Sequence, residues 1–169
     1  MAEAAENLVE DTPDEINEFL TFMLNGEEYG VDILRVQEIK GWDSVTSVPN
    51  LPEYIRGVIN LRGTIVPIID LRRRFELDVR EYSGTTVVIV LRVITEGHAD
   101  RVMGIVVDGV SDVYQVPSND MKKSPEFGGD VDTEFVKALA SVGDKMVVLL
   151  DIDHMLNSEE LSITDMISS

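Results

Sequence analysis

Cysteine is absent from this 169-residue chain, which removes disulfide frameworks, thiolate zinc sites and thiol nucleophiles together. Basic residues are scarce: 14 Lys and Arg stand against 32 Asp and Glu, for a net charge of −18. So acidic a chain is repelled by phosphate backbones and anionic lipid, which argues against nucleic acid and membrane-surface partners. Aromatic residues make up only 6%, with Trp42 the one tryptophan, so little is offered for stacking on bases or sugars. No apolar run approaches the ~18 residues of a membrane-spanning helix, and the N-terminus lacks a basic flank and an apolar signal core. A soluble cytoplasmic protein without membrane insertion is the expectation. Catalytic signatures are missing as well, since nothing matches Gly-x-x-x-x-Gly-Lys-Ser/Thr, Gly-x-Gly-x-x-Gly, His-Glu-x-x-His or Gly-x-Ser-x-Gly.

What is present is a β-rich core. The 44% hydrophobic content and the length suit one sizeable domain or two small, closely joined ones. The organising stretch runs from Val48 to Leu71 and reads as a hairpin: Gly57 to Leu61, a turn at Arg62-Gly63, then Thr64 to Ile69. Pro67 cannot donate to a ladder, so its strand belongs at an edge, a bulge or a barrel corner. Two apolar strands joined by such a turn predict a buried scaffold presenting one charge, Arg62.

Elsewhere, Asn25-Gly26 marks a hairpin between Phe19–Leu24 and Glu27–Ile33, and Leu34 to Ile39 reads as a turn followed by a strand. Thr85–Ile94, Val102–Val107 and Gly109–Val116 follow, then a loop over Pro117–Asp132 and a hairpin about Gly143-Asp144. Residues 1–17 read as an acidic, flexible leader, within which Thr12-Pro13-Asp14-Glu15 has the form of a helix start. Asp70 is placed to cap a short helix, and from Asp151 the pattern turns helical, with Asn157 and Glu160 spaced as a capping pair. The chain also repeats itself. Gly30–Ile39 matches Gly104–Val113 in its spacing of Gly, Val and acid, and Gly63–Leu71 matches Gly143–Ile152. Two copies of a small β unit, joined near Arg80–Gly84 and sharing an interface, predict a pair of small barrels.

Candidate chemistry is thin. His98 and His154 read as surface residues. Asp151-Ile152-Asp153-His154 invites a metal, but its spacing fits no standard loop and helix capping accounts for Asp151. Arg72-Arg73-Arg74 suits solubility or internal pairing better than phosphate. Arg62, on a rigid turn, can fork to a partner carboxylate or simply face solvent, and Glu38, between Val36 and Ile39 at the end of an apolar segment, reads more readily as part of a solvated face. An enzyme of small-barrel type would have to draw on Asp70, Asp151 or His154.

At these residues the sequence resembles the CheW-like family of bacterial chemotaxis coupling proteins. The resemblance rests on Gly57-Val58-Ile59-Asn60-Leu61-Arg62-Gly63 and Val66–Leu71, on Tyr29–Ile33 and Val36-Gln37-Glu38-Ile39, and on Val87–Val90, Gly104–Val113 and Pro125-Glu126-Phe127. It covers residues 18–160, with 161–169 as a C-terminal helix end, and the joint order of the motifs is specific. It implies an all-β fold of two intertwined, five-stranded SH3-like barrels sharing a core, with short helices and a C-terminal helix. No kinase or response-regulator region accompanies the domain, so a free-standing family member is expected. That implies a non-catalytic adaptor without cofactor or metal, located in the cytoplasm at receptor arrays beneath the inner membrane. Its partners would be the cytoplasmic tip of methyl-accepting chemotaxis receptors, the regulatory domain of the histidine kinase CheA, and other copies of the adaptor in rings. Carried over by position, receptor contact would use Val36, Glu38, Gly57, Arg62, Val87, Gly104 and Val107. Kinase contact would use Val31 and Leu34, with Phe127 a further candidate. A related module in another two-component pathway, such as surface motility, is the alternative.

Overall fold

A computed structural model describes residues 16–52, 54–75, 77, 81–95, 97, 99–122 and 135–157. Hairpin signals place most of its strands. β1 (Ile16–Leu24) and β2 (Glu27–Asp32) turn at Asn25-Gly26, where φ values of 55° and 81° give the left-handed pair that a tight hairpin needs. A short turn (Ile33–Arg35) leads to β3 (Val36–Gly41). β4 (Ile55–Leu61) and β5 (Thr64–Asp70) turn at Arg62-Gly63, again with both φ positive, at 51° and 89°. The short helix α1 (Leu71–Arg74) is capped by Asp70, whose carboxylate accepts from the Arg72 amide. Then come β6 (Val87–Val93), β7 (Arg101–Val107), β8 (Gly109–Pro117), β9 (Met121–Lys122), β10 (Val136–Val142) and β11 (Lys145–Leu150). Residues 152–157 form a second helix, α2.

The strands divide into two sheets, ordered β9-β10-β11-β2-β1-β8 and β3-β6-β7-β5-β4. The sheets do not follow the two halves of the repeat. The expected joint near residues 80–84 is no boundary, because β6 and β7 stay in the second sheet while the first recruits both ends of the described chain. Its outermost strand β8 pairs with β1, Leu20 lying opposite Val113. The repeat survives in geometry instead. Each sheet contains one parallel pair, with Gly30 opposite Leu149 in the first and Gly104 opposite Ile68 in the second. The first sheet carries six strands, one more than expected, through the two-residue strand β9.

Burial explains why these segments are so uniformly apolar. Val88 and Val90 face a core inside the second barrel with Ile59, Val66 and Ile68, whereas Ile89, Leu91 and Val93 face the other way. There they meet Phe22, Leu24, Tyr29 and Val31 of the first sheet, together with Met155 and Leu156 of α2. A strand buried on both faces has no polar positions to alternate with. Phe19, Val116, Ala140, Val147 and Leu149 fill the first barrel. Each fully buried Ile or Leu is worth about 1.5–3 kcal/mol of transfer free energy, so the seam between the sheets ties the barrels together.

The second barrel closes by one backbone bridge, Thr46 to Val58, at 2.8 and 2.9 Å. Closure needs Gly57. Its φ is +146°, and a Cβ there would lie 2.1 Å from the Thr46 carbonyl oxygen. Pro67 sits where β5 is paired only with β4, because the ladder to β7 begins at Ile68. It occupies a local edge, which is where a residue without an N–H belongs.

Candidate functional site

The tip of the β4–β5 hairpin carries an exposed charge on a rigid support. Asn60 pins the turn by accepting from the Gly63 amide at 2.8 Å, and Val66 and Ile68 just below are fully buried. The Arg62 side chain is 73% exposed. Its nearest carboxylate is Glu38 on the edge strand β3, at 3.4 Å, and Glu38 is shared with Lys40 at 3.3 Å. An exposed pair of this length contributes roughly 0–1 kcal/mol. Four of the five guanidinium donors remain for a partner that brings a carboxylate.

On the face of β3 opposite to Glu38, β3 and β6 present a half-buried apolar strip. Val36 lies opposite Leu91, Ile39 opposite Ile89, and Gly41 opposite Val87, so these residues share one face. A bulge between Val36 and Glu38 is what puts Val36 and Ile39 together. Ile39 is 43% exposed and was absent from the residues expected at the site, although the alternation Val36-Gln37-Glu38-Ile39 carried the signal. Val87 and Val36 pack partly against the shared core.

The remaining expected residues serve the fold as placed. The Val107 side chain is buried in the shared core. Gly104 faces the interior of the second barrel, where a Cβ would meet Ile68 Cδ1 at 2.6 Å and Val88 Cγ1 at 2.9 Å. Gly57 is the closure glycine described above. None of these three offers a side chain to a partner here.

On the kinase-facing set the structure separates two neighbours in sequence. Val31 is completely buried beneath the turn that follows β2, so its side chain reaches no surface. Leu34, in that turn, is 76% exposed, the highest value among the described large hydrophobic residues. Its amide donates to the Asp32 carboxylate at 2.9 Å. Next to it, Arg35 forks onto Asp153 at 2.7 and 2.8 Å. The hydrogen bond to Asp153 raises the Arg35 pKa further above its ordinary value. Burial pushes the Asp153 carboxyl up, but the Arg35 fork and the Ile94 amide outweigh it and hold it below its ordinary value. Phe127, Pro125, Glu126, His98, Glu160 and the acidic leader through Glu15 lie outside the described residues.

The basic triplet is paired internally. Arg72, 3% exposed, binds Asp108 at 2.5 and 3.3 Å and Asn25 at 3.2 Å. Arg73 lies 3.6 Å from Asp70, and Arg74 covers the Phe135 ring at 4.8 Å. Asp70 also accepts from the Tyr82 hydroxyl. Burial, reinforced by that hydrogen bond, pushes the Tyr82 phenol up to about 12. The Asp151-x-Asp153-His154 stretch is likewise spent: Asp151 accepts from the His154 amide and Asp153 holds Arg35. Among the described residues no group of three His, Asp or Glu side chains is arranged to hold a metal.

A family model described as the CheW-like domain matches residues 18–160. The chemotaxis protein CheW of Klebsiella aerogenes is 49% identical over 148 residues, covering 88% of this chain and 86% of that protein. The CheW of Rhizobium meliloti is 34% identical over 143 residues, covering 85% and 89%. Among solved structures, the scaffolding protein TtCheW from Thermoanaerobacter tengcongensis aligns with a TM-score of 0.76 at 32% identity, covering 84% of this chain and 93% of that one.

Proposed function

The chain belongs to the CheW-like family of chemotaxis scaffolding proteins, and from that premise we propose that it couples chemoreceptors to the histidine kinase CheA without catalysing a reaction. The similarity along residues 18–160 is the observation that carries this reading. Two separate exposed features support it. One is the Arg62 tip with the Val36–Ile39–Val87 strip, suited to a helical hairpin that lays down an apolar stripe and offers a carboxylate. The other is Leu34, suited to an apolar pocket on the kinase's regulatory domain. Val31, Gly57, Gly104 and Val107 then act by shaping these surfaces from beneath.

A coupler of this kind works by position. Stiff barrels hold one partner at a fixed offset from the other, and copies of the scaffold can extend the array beneath the inner membrane. No helix among the described residues is long and apolar enough to cross a membrane. No cofactor, metal or nucleic acid has a part in the proposal. Arg62 sets register more than affinity, so its charge matters most in choosing the partner. In a titration against a receptor cytoplasmic fragment, Arg62→Glu should weaken binding by about tenfold, or 1.4 kcal/mol, while binding to the CheA regulatory domain stays unchanged. Unaltered receptor binding would remove Arg62 from the site. A substrate that the chain turned over would end the scaffold reading itself.

A further inference from the structure

The chain passes from the first sheet to the second at Ile33–Arg35 and returns at Asp108, between β7 and β8. These two crossovers occupy related places. Each follows a strand that runs parallel to the strand leading into a helix, β2 beside β11 and β7 beside β5. Counting from the paired residues Leu149 and Ile68, the capping aspartate comes two positions on, at Asp151 and Asp70, and the helix residue that grips the crossover comes four on, at Asp153 and Arg72. Both grips are two-point ion pairs, Arg35 to Asp153 and Arg72 to Asp108. Their polarity is opposite. The crossover supplies the arginine in one and the aspartate in the other, so exchanging the helices would set Arg35 against Arg72 and Asp108 against Asp153.

The two grips also differ in what they carry. Around Asp108 the chain is secured by other bonds, from the Asn25 amide at 2.9 Å and to Met23 O at 3.0 Å. The turn at Ile33–Arg35 contains no fully buried residue. It is held by the Asp32 cap, by partial packing of Ile33 and by Arg35. Arg35 additionally donates to Arg92 O at 3.1 Å, and Asp153 accepts from the Ile94 amide at 2.8 Å. One ion pair therefore joins the turn, the end of β6 and α2. Leu34 stands on that turn, 76% exposed.

We propose that Arg35 and Asp153 are positioning residues for Leu34: their fork sets where this exposed side chain meets its partner, which on the reading above is the CheA regulatory domain. The pair itself touches no partner. Its effect falls mostly on that contact: the Arg62 tip is built on β4 and β5 and shares none of these bonds, and only the Val36 end of the apolar strip adjoins Arg35.

The test measures affinity for the CheA regulatory domain and for a receptor fragment separately, beside thermal unfolding. Leu34→Glu comes first and should weaken kinase binding at least about tenfold with receptor binding intact. Asp153→Asn should weaken kinase binding about fivefold and receptor binding by less than about twofold, and Asp153→Glu should recover most of the loss. Should Asp153→Asn not fold, Arg35→Lys replaces it, keeping the charge but losing the fork. Full kinase affinity in Asp153→Asn beside a loss in Leu34→Glu overturns this inference and leaves the scaffold reading standing. An equal fall in both affinities, tracking a fall in melting temperature, reduces the pair to a structural role and overturns it too. No effect from Leu34→Glu removes the contact, and the positioning role falls with it.

Discussion

Arg62 and Arg72 lie ten positions apart at the two ends of one strand-and-helix segment, and their surroundings could hardly differ more. The Arg62 side chain is 73% exposed with one carboxylate contact at 3.4 Å. The Arg72 side chain is 4% exposed, forks onto Asp108 at 2.5 and 3.3 Å, and reaches Asn25 on the other sheet. A guanidinium taken out of water must find its charge partner inside the protein, so the fold has used Arg72 completely. Arg62 keeps its hydration and most of its donors. Burial and donor count separate the arginine that builds the molecule from the one available to a partner; residue type and local charge density do not. In the sequence the triplet Arg72-Arg73-Arg74 suits solubility or internal pairing better than phosphate, and the fold pairs it internally.

Mutation can break this contrast from the buried side first. Arg72→Ala strands a part-buried Asp108 and opens the tie between the sheets; chemical denaturation should show a loss of about 3 kcal/mol, the lower end for a broken buried pair because Asp108 retains some water. A loss below about 1 kcal/mol would put Arg72 in the same class as Arg62. Gly57→Ala should cost about 2 kcal/mol or more through positive-φ strain and the clash with the Thr46 carbonyl. The strand bearing the Arg62 tip would then lose its closure, so a fully stable Gly57→Ala protein would refute the close approach.

The next effect is smaller and depends on pH. Tyr82 has its phenol raised to about 12 in the folded protein, against an ordinary value of 10.0. The folded state therefore retains a proton that the unfolded chain gives up. The stabilisation is complete below about pH 10 and is lost as pH rises towards about 12. Urea midpoints should fall across that window, and the part due to Tyr82 should vanish in Tyr82→Phe. A decline identical in the two proteins would assign it to other groups. Smallest of all, Arg62→Ala should change unfolding free energy by less than about 0.5 kcal/mol. A larger change would mean that the tip is structural after all.

Much of this was legible in advance, for local reasons. Asn25-Gly26 and Arg62-Gly63 each require positive φ, and both form the predicted turns. Asp70 caps its helix, and the step from Leu34 into a strand appears as a short turn followed by β3. The repeat was visible, but its meaning was not. Spacing cannot reveal that β1 pairs with β8 some ninety residues away, so the repeat alone suggests one barrel per half, whereas the ends of the described chain interlock around the middle, in keeping with the intertwined barrels that the resemblance implied. At the site, Arg62 lies at the surface as its turn suggested, and Leu34, expected at a contact only from the family resemblance, is exposed as well. Val31 and Val107 are not, because a Val in an alternating run points in or out according to a register that only the assembled sheets fix. Nothing local marks Asp108 and Asp153 as members of ion pairs, because their partners Arg72 and Arg35 are remote in sequence.

The central claim is that this chain bridges two proteins, and co-sedimentation of the CheA kinase with receptor cytoplasmic fragments tests it most directly. With the chain present, kinase should enter the receptor pellet and its activity should come under receptor control; without it, or with Arg62→Glu in its place, most of the kinase should stay in the supernatant. Kinase that pellets to the same extent whether or not the chain is added would contradict the account.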